Sequence, residues 1–223
     1  MPPLIDLATP VTLLVLIGGG EFSFGETREI DERLVRAMPA GRRTVAFLPT
    51  ASGSPEYAVH LGKYLRSIDP SLETINIPIY RGRDARRGKN LDALLSAGMI
   101  YLGGGVAHQL VDTLRESPAD LALREAAANG AVIAATGASA ASLGLHVRDP
   151  RGAGRFLPGL GWLRNTVVET GLDPTHDVPL RRLMSLPDVR AGIGIPPRAA
   201  LAVHAGGTTE VLGDGQVAFF RKE

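Results

Sequence analysis

The sequence predicts one α/β domain: a doubly wound, mostly parallel sheet flanked by helices, with antiparallel strands closing one edge near the C-terminus. Three observations predict it. Four short apolar runs are continuous rather than alternating, which suits strands buried on both faces of a parallel sheet. Stretches of helical spacing separate these runs, and strand-helix alternation is the pattern of a doubly wound sheet. The last third then switches to short strand-like pieces divided by glycine pairs.

In chain order, the apolar runs are Val11–Ile17, Thr44–Leu48, Met99–Leu102 and Ala131–Ala135, bounded downstream by glycine or by Pro49-Thr50. Between them, Glu29–Met38 sets Ile30, Leu34, Val35 and Met38 on one stripe, and Tyr57–Ile68 does the same with Leu61, Tyr64, Leu65 and Ile68. Gln109–Leu114 and Leu121–Ala128 are also helical, and Asn129-Gly130 supplies a stop. The later pieces are Ala191–Ile195, Ala200–His204, Thr209–Leu212 and Val217–Phe220. Asp214-Gly215 between the last two reads as a tight hairpin. No repeat, linker or low-complexity tract divides residues 1–223, so a single domain is expected.

Composition narrows the function. The 44% hydrophobic and 21% charged content is that of a globular protein, and 223 residues can bury a sizeable core. A formal net charge of +1 argues against dedicated nucleic-acid binding, which needs a strongly basic face. With no cysteine there is no disulfide, no thiolate ligand and no cysteine nucleophile. Val11–Ile17 is too short to cross a bilayer, and Met1–Asp6 lacks the basic start of a signal peptide, so a cytoplasmic protein is expected.

In open α/β sheets, ligands bind beyond the carboxyl ends of the strands. Three segments stand at such ends: Gly18-Gly19-Gly20-Glu21-Phe22, Gly103-Gly104-Gly105, and Gly137-Ala138-Ser139-Ala140-Ala141. The third resembles a nucleophile elbow, G-x-S-x-G, in which serine occupies a strained strand-to-helix turn with its hydroxyl exposed. Its small residues suit the close approach of helix and strand, although Ala141 stands where the pattern has glycine. Ser139 is the candidate nucleophile, with the Ala140 N–H and a triple-glycine N–H as oxyanion donors. From the turn alone, a catalytic serine and mere close packing of a helix remain equally open.

Other chemistries find less support. Gly18 to Gly25 does not spell G-x-G-x-x-G, and neither glycine cluster has a P-loop lysine, so no cofactor is expected. The histidines at 60, 108, 146, 176 and 204 are scattered, so no metal site is expected either. The basic run Arg81, Arg83, Arg86, Arg87, Lys89 reads first as a solvated loop and second as a contact for an acidic ligand or partner.

Several further motifs recur in order: Leu48-Pro49-Thr50-Ala51-Ser52, Tyr101-Leu102-Gly103-Gly104-Gly105 leading to Gln109-Leu110, Gly159-Leu160-Gly161, Gly192-Ile193-Gly194-Ile195 and Glu210-Val211-Leu212-Gly213. With the glycine and serine segments, they make nearly the whole chain resemble peptidase family S51, the group of dipeptidase E and cyanophycinase. The resemblance implies a class I glutamine amidotransferase-like fold with serine in place of cysteine, Ser139 as nucleophile, and Gly105 and Ala140 as oxyanion donors. It implies short aspartyl or β-aspartyl peptides as substrates. It also admits a homodimer, for which no interface can be read from the residues.

The departures from the family pattern concern the groups that would activate Ser139. A family histidine follows in a stretch resembling V-I-D-Q-H-F; here the stretch is Val167-Val168-Glu169-Thr170-Gly171-Leu172, with glycine at the base position. The acid of the cyanophycinase branch stands in G-I-D-E, where this chain has Gly194-Ile195-Pro196-Pro197. A serine hydroxyl is a weak nucleophile without a base, and losing triad members costs on the order of 10⁶ in kcat. His176 and Asp149 are the candidate substitutes, with His146 a further one. Asp149 is the only acidic residue between Ser139 and Glu169, the interval in which dipeptidase E relatives carry their acid. His176 also reads as an exposed loop histidine flanked by carboxylates. Two readings follow: a serine hydrolase with a rearranged triad, or a catalytically silent relative that binds a small ligand or partner in the same pocket.

Overall fold

The computed structural model describes residues 5–173 and 175–222. In chain order the elements are β1 (Leu13–Ile17), α1 (Arg28–Ala37), β2 (Thr44–Leu48), α2 (Glu56–Ile68), β3 (Glu73–Asn76), α3 (Gly88–Ser96), β4 (Met99–Leu102), α4 (Ala107–Leu114), α5 (Pro118–Ala128), β5 (Val132–Thr136) and α6 (Ala138–Ser142). There follow β6 (His146–Arg148), β7 (Phe156–Pro158), β8 (Thr166–Thr170), α7 (Val178–Met184), β9 (Ala191–Ile195), β10 (Ala199–His204), β11 (Thr209–Gly213) and β12 (Ala218–Arg221).

Seven strands form the main sheet in the order β11-β10-β1-β5-β4-β2-β3. The five from β1 to β3 are parallel, and β10 and β11 close one edge antiparallel. The doubly wound sheet with antiparallel edge strands is thus what the chain forms. Alternate residues of each parallel strand feed two cores. Leu14, Leu16, Ile100, Leu102 and Ile133 meet Leu94 of α3, Leu110 of α4 and Leu123 of α5. Leu13, Val15, Ile17, Phe47 and Tyr101 meet Ile30 and Leu34 of α1 and Leu61 and Leu65 of α2. Both strand faces are therefore dry, the reason these runs are continuous in hydropathy.

The C-terminal third departs from expectation. Strands β9 and β12 leave the main sheet and join β8 in a separate three-stranded sheet, β12-β9-β8. Glycine explains the departure: side chains at Gly192 and Gly194 would collide with Met184 and Leu172, so this strand is shaped to receive α7 and the segment after β8. A small separate core of Val167, Leu172, Leu180, Leu183 and Val189 results. The expected tight hairpin at Asp214-Gly215 is not formed between paired strands, because β11 pairs with β10 and β12 with β9. A third, two-stranded sheet joins β6 to β7. Among the described residues, no helix is long and apolar enough to cross a membrane.

Candidate active site

The turn after β5 has its vertex at Gly137. In the parallel register Thr136 still pairs with Ile17, so the strand runs one residue past the apolar run, and α6 begins at Ala138. Gly137 alone joins them, at φ 55° and ψ −125°, a conformation that L side chains rarely adopt. Its N–H donates to the Ile17 carbonyl at 2.9 Å. A Cβ built on it would meet no heavy atom within 4 Å, so a side chain there would enter open space.

Ser139 lies two residues farther on, inside α6. Its side chain is 0% exposed, and its hydroxyl donates to the Gly103 carbonyl at 2.6 Å. Sequence reasoning placed this hydroxyl at the exposed point of the turn; it lies instead in the packing between α6 and the triple-glycine corner. The signal that separates the two placements is β-branched Thr136, which extends the strand and leaves Gly137 as the residue able to take a positive φ.

The triple-glycine corner is tied to its neighbour strand. The Gly103 N–H donates to Leu48 O at 3.0 Å, and the Val106 N–H donates to Ala51 O at 2.9 Å. Gly105, at φ +146°, passes so close to Ala51 that a Cβ would strike the Ala51 backbone carbonyl. Gly105 and Ala138 both border a cavity of about 900 Å³ at the carboxyl ends of the strands. Ala140 is fully buried and stands outside the cavity wall.

Gly171 is tied to the same end of β1. Its N–H donates to Gly18 O at 2.9 Å, so Gly137 and Gly171 hang on successive carbonyls at the end of β1. A Cβ at Gly171 would likewise meet nothing within 4 Å. Two side-chain-free positions bonded to the end of β1 thus face open space.

The candidate substitutes are dispersed. The His176 side chain is 80% exposed; its Nδ1 lies 2.9 Å from Thr175 Oγ1 and 3.3 Å from Asp173 Oδ2, and the residue borders the cavity. Asp149, buried at the end of β6, accepts the Arg151 backbone N–H at 3.0 Å and its Nε at 2.8 Å, and Arg151 Nη2 reaches the second oxygen at 3.1 Å. These bonds from Arg151 hold the Asp149 carboxyl below the usual range. His146 pairs with Asp188 at 2.8 Å. Among the described residues, no hydrogen bond links Ser139, His176 and Asp149 to one another.

The structure adds residues that sequence reasoning did not single out. Glu169, 6% exposed near the end of β8, is gripped by Arg148 through Nε at 3.1 Å and through Nη2. Burial pushes its carboxyl up, and the Arg148 charge opposes that. Arg155 and Arg182 complete the charged part of the wall. Their one trace in the sequence is the arginine density of 148–155 and 181–182, which resembles any solvated surface. Among the described residues, no group of His, Asp and Glu is placed to hold a metal ion. The basic run lies beyond β3, where buried Asp84 accepts the Tyr80 and Arg81 N–H groups and ion-pairs with Arg83 and Arg87.

Comparison with known proteins finds peptidases. The uncharacterized peptidase YgaJ of Bacillus subtilis (strain 168) is 27% identical over 157 residues, which is 69% of this chain and 66%, just under two thirds, of that protein. The crystal structure of a peptidase from an acI-B1 Actinobacterium superposes with a TM-score of 0.79 at 26% identity, over 95% of this chain and 91% of that one. A structure from Listeria monocytogenes EGD-e, 17% identical, shares the fold with a TM-score of 0.61 over 96% of this chain and 100% of that one. The family model described as Peptidase family S51 matches residues 14–148, which run from β1 through both the triple-glycine corner and the Gly137 turn. With more than half of the chain matched, this protein belongs to peptidase family S51.

Proposed function

We propose that this S51 member does not hydrolyse peptides and instead binds a small ligand in the cavity beside the Gly137 turn. One observation carries the reading. The residue held in the strained conformation between β5 and α6 is glycine, which has no side chain to attack a carbonyl. A serine nucleophile needs exposure and an adjacent base. Ser139 is buried, and its hydroxyl is committed to Gly103 O. The positions that the family resemblance assigns to base and acid hold Gly171 and Pro197. The N–H following the vertex is that of Ala138, and Ala138 and Gly105 still border the cavity, so the corner keeps a place for a polar ligand atom.

The rival reading is a hydrolase of short aspartyl or β-aspartyl peptides that runs on Ser139, with His176 and Asp149 as substitute base and acid. In its favour, His176 borders the same cavity. It requires α6 to unwind far enough to free a buried hydroxyl, and Asp149 to leave Arg151.

A fluorophosphonate probe read by intact mass separates the two. The expected result is no adduct on the wild-type protein and no hydrolysis of Asp-X dipeptides or β-Asp-Arg. The double variant Gly137→Ser/Gly171→His places a hydroxyl and an imidazole at the two open positions. Labelling should appear in that variant and vanish when position 137 is returned to glycine. The added Cβ at φ 55° strains the backbone by about 1–2 kcal/mol. A stoichiometric wild-type adduct that Ser139→Ala removes would overturn the proposal.

A further inference from the structure

We infer that the ligand of this cavity is an amphipathic carboxylate: one anionic head joined to an apolar tail. The inference rests on the binding reading above and names the ligand class for that site.

The charge of the wall is the first observation. Its two carboxylates are already consumed: Glu169 by Arg148, and Asp149 by Arg151. The donors are not. A guanidinium has five N–H groups. Arg148 spends two on Glu169 and keeps three, with its side chain 55% exposed. Arg155 comes no nearer to Asp149 than 3.9 Å, and Arg182 forms no ion pair among the described residues. Both line the cavity with Arg148. The wall therefore presents cationic donors in excess of its own acceptors, and the geometry that matches a guanidinium fork is a carboxylate.

The second observation is the rest of the lining. Val106, Ala107, Ala138, Ala141, Val147 and Phe156 supply a surface with no polar side chain. Ala107, Val111, Ala141 and Val147 form a small core of their own, packed by Ala138 and Leu157. A fully polar ligand would leave this surface wetted; an aliphatic or aryl tail covers it. About 900 Å³ accommodates a tail well beyond dipeptide size. Head and tail are thus specified by opposite parts of one wall.

Calorimetric titration of the whole protein with butyrate, hexanoate and octanoate, and with 1-octanol as the uncharged counterpart, tests this. Saturable binding is expected, tightening about fourfold for each added methylene. Arg182→Gln and Arg155→Gln should each weaken octanoate about tenfold and leave octanol unchanged. Both arginines are exposed, so the variants should keep the wild-type unfolding midpoint, and circular dichroism checks this. Equal affinity for octanol and octanoate, or no dependence on chain length, would overturn the inference. So would binding of Asp-X dipeptides without binding of octanoate, an outcome that leaves the non-hydrolytic reading standing. A fluorophosphonate adduct on the wild type that octanoate blocks would sink that reading while keeping the ligand class.

Discussion

Asp31 stands in the first turn of α1 with its side chain fully buried. One carboxylate oxygen accepts the Thr27 hydroxyl at 2.7 Å and the Tyr64 hydroxyl at 2.9 Å; the other, Oδ1, has no partner among the described residues. Burial pushes this carboxyl up to about 6, against the two hydrogen bonds that favour its charged form. The folded chain therefore holds a proton that the unfolded chain has released between about pH 4 and pH 6, and stability from this group is lost as pH rises through that window. Urea unfolding should show the wild type losing about 2 kcal/mol relative to Asp31→Asn between pH 4 and pH 7. Parallel curves for the two proteins would show that Asp31 ionises freely. Residue identity in the core was plain from the sequence, but the orientation of Ser139 was not. A shift of two positions separates an open vertex from a packed helix turn, and only the register of Thr136 against Ile17 decides between them.

At the scale of elements, helix α5 shows how a loop is fixed to the sheet. Ser117 caps it, with its hydroxyl accepting the Asp120 N–H at 3.2 Å, and Pro118 starts it. Asp120 then accepts the Trp162 indole N–H at 3.0 Å and Arg124 Nε at 3.0 Å, while Arg124 donates to Leu160 O at 2.6 Å and lies 5.1 Å from the Trp162 ring centroid. Asp120→Ala strands a buried indole donor and a half-buried guanidinium at once and should destabilise the fold by about 3 kcal/mol, with a red shift of emission from the single tryptophan. Asp120→Asn keeps an acceptor and should cost about half as much. An unshifted spectrum and unchanged midpoint would show that the segment at 160–163 is held by packing alone. The elements with bounded apolar runs were legible: Thr44–Leu48, Met99–Leu102 and Ala191–Ile195 have the expected bounds. Which sheet Ala191–Ile195 joins was not, because Gly192 and Gly194 act through Met184 and Leu172, contacts that no local pattern encodes. The short edge strand Glu73–Asn76 was missed for the same reason: it carries little apolar signal and is ordered by pairing with β2.

At the scale of the molecule, the cavity lies where two unequal bodies meet. Strands β1, β4 and β5 are covered on both faces by the two large cores, whereas β6 and β7 contribute three residues each to a sheet of two strands. The turn between them, from Asp149 to Arg155, supplies part of the cavity wall and is held chiefly by the Arg151 bonds to Asp149. Few buried apolar contacts and short ladders place a segment at the low end of local stability. Amide hydrogen exchange should therefore find β1, β4 and β5 protected up to the global unfolding free energy, and residues 146–158 opening by several orders of magnitude faster. A ligand seated against Arg148, Arg155 and Phe156 contacts both strands of that ribbon, so saturating octanoate should slow exchange in 146–158 and leave the central strands as they were. Uniform protection of both regions without ligand would show that the ribbon and the main sheet unfold as one unit, and the wall would then be rigid before anything binds.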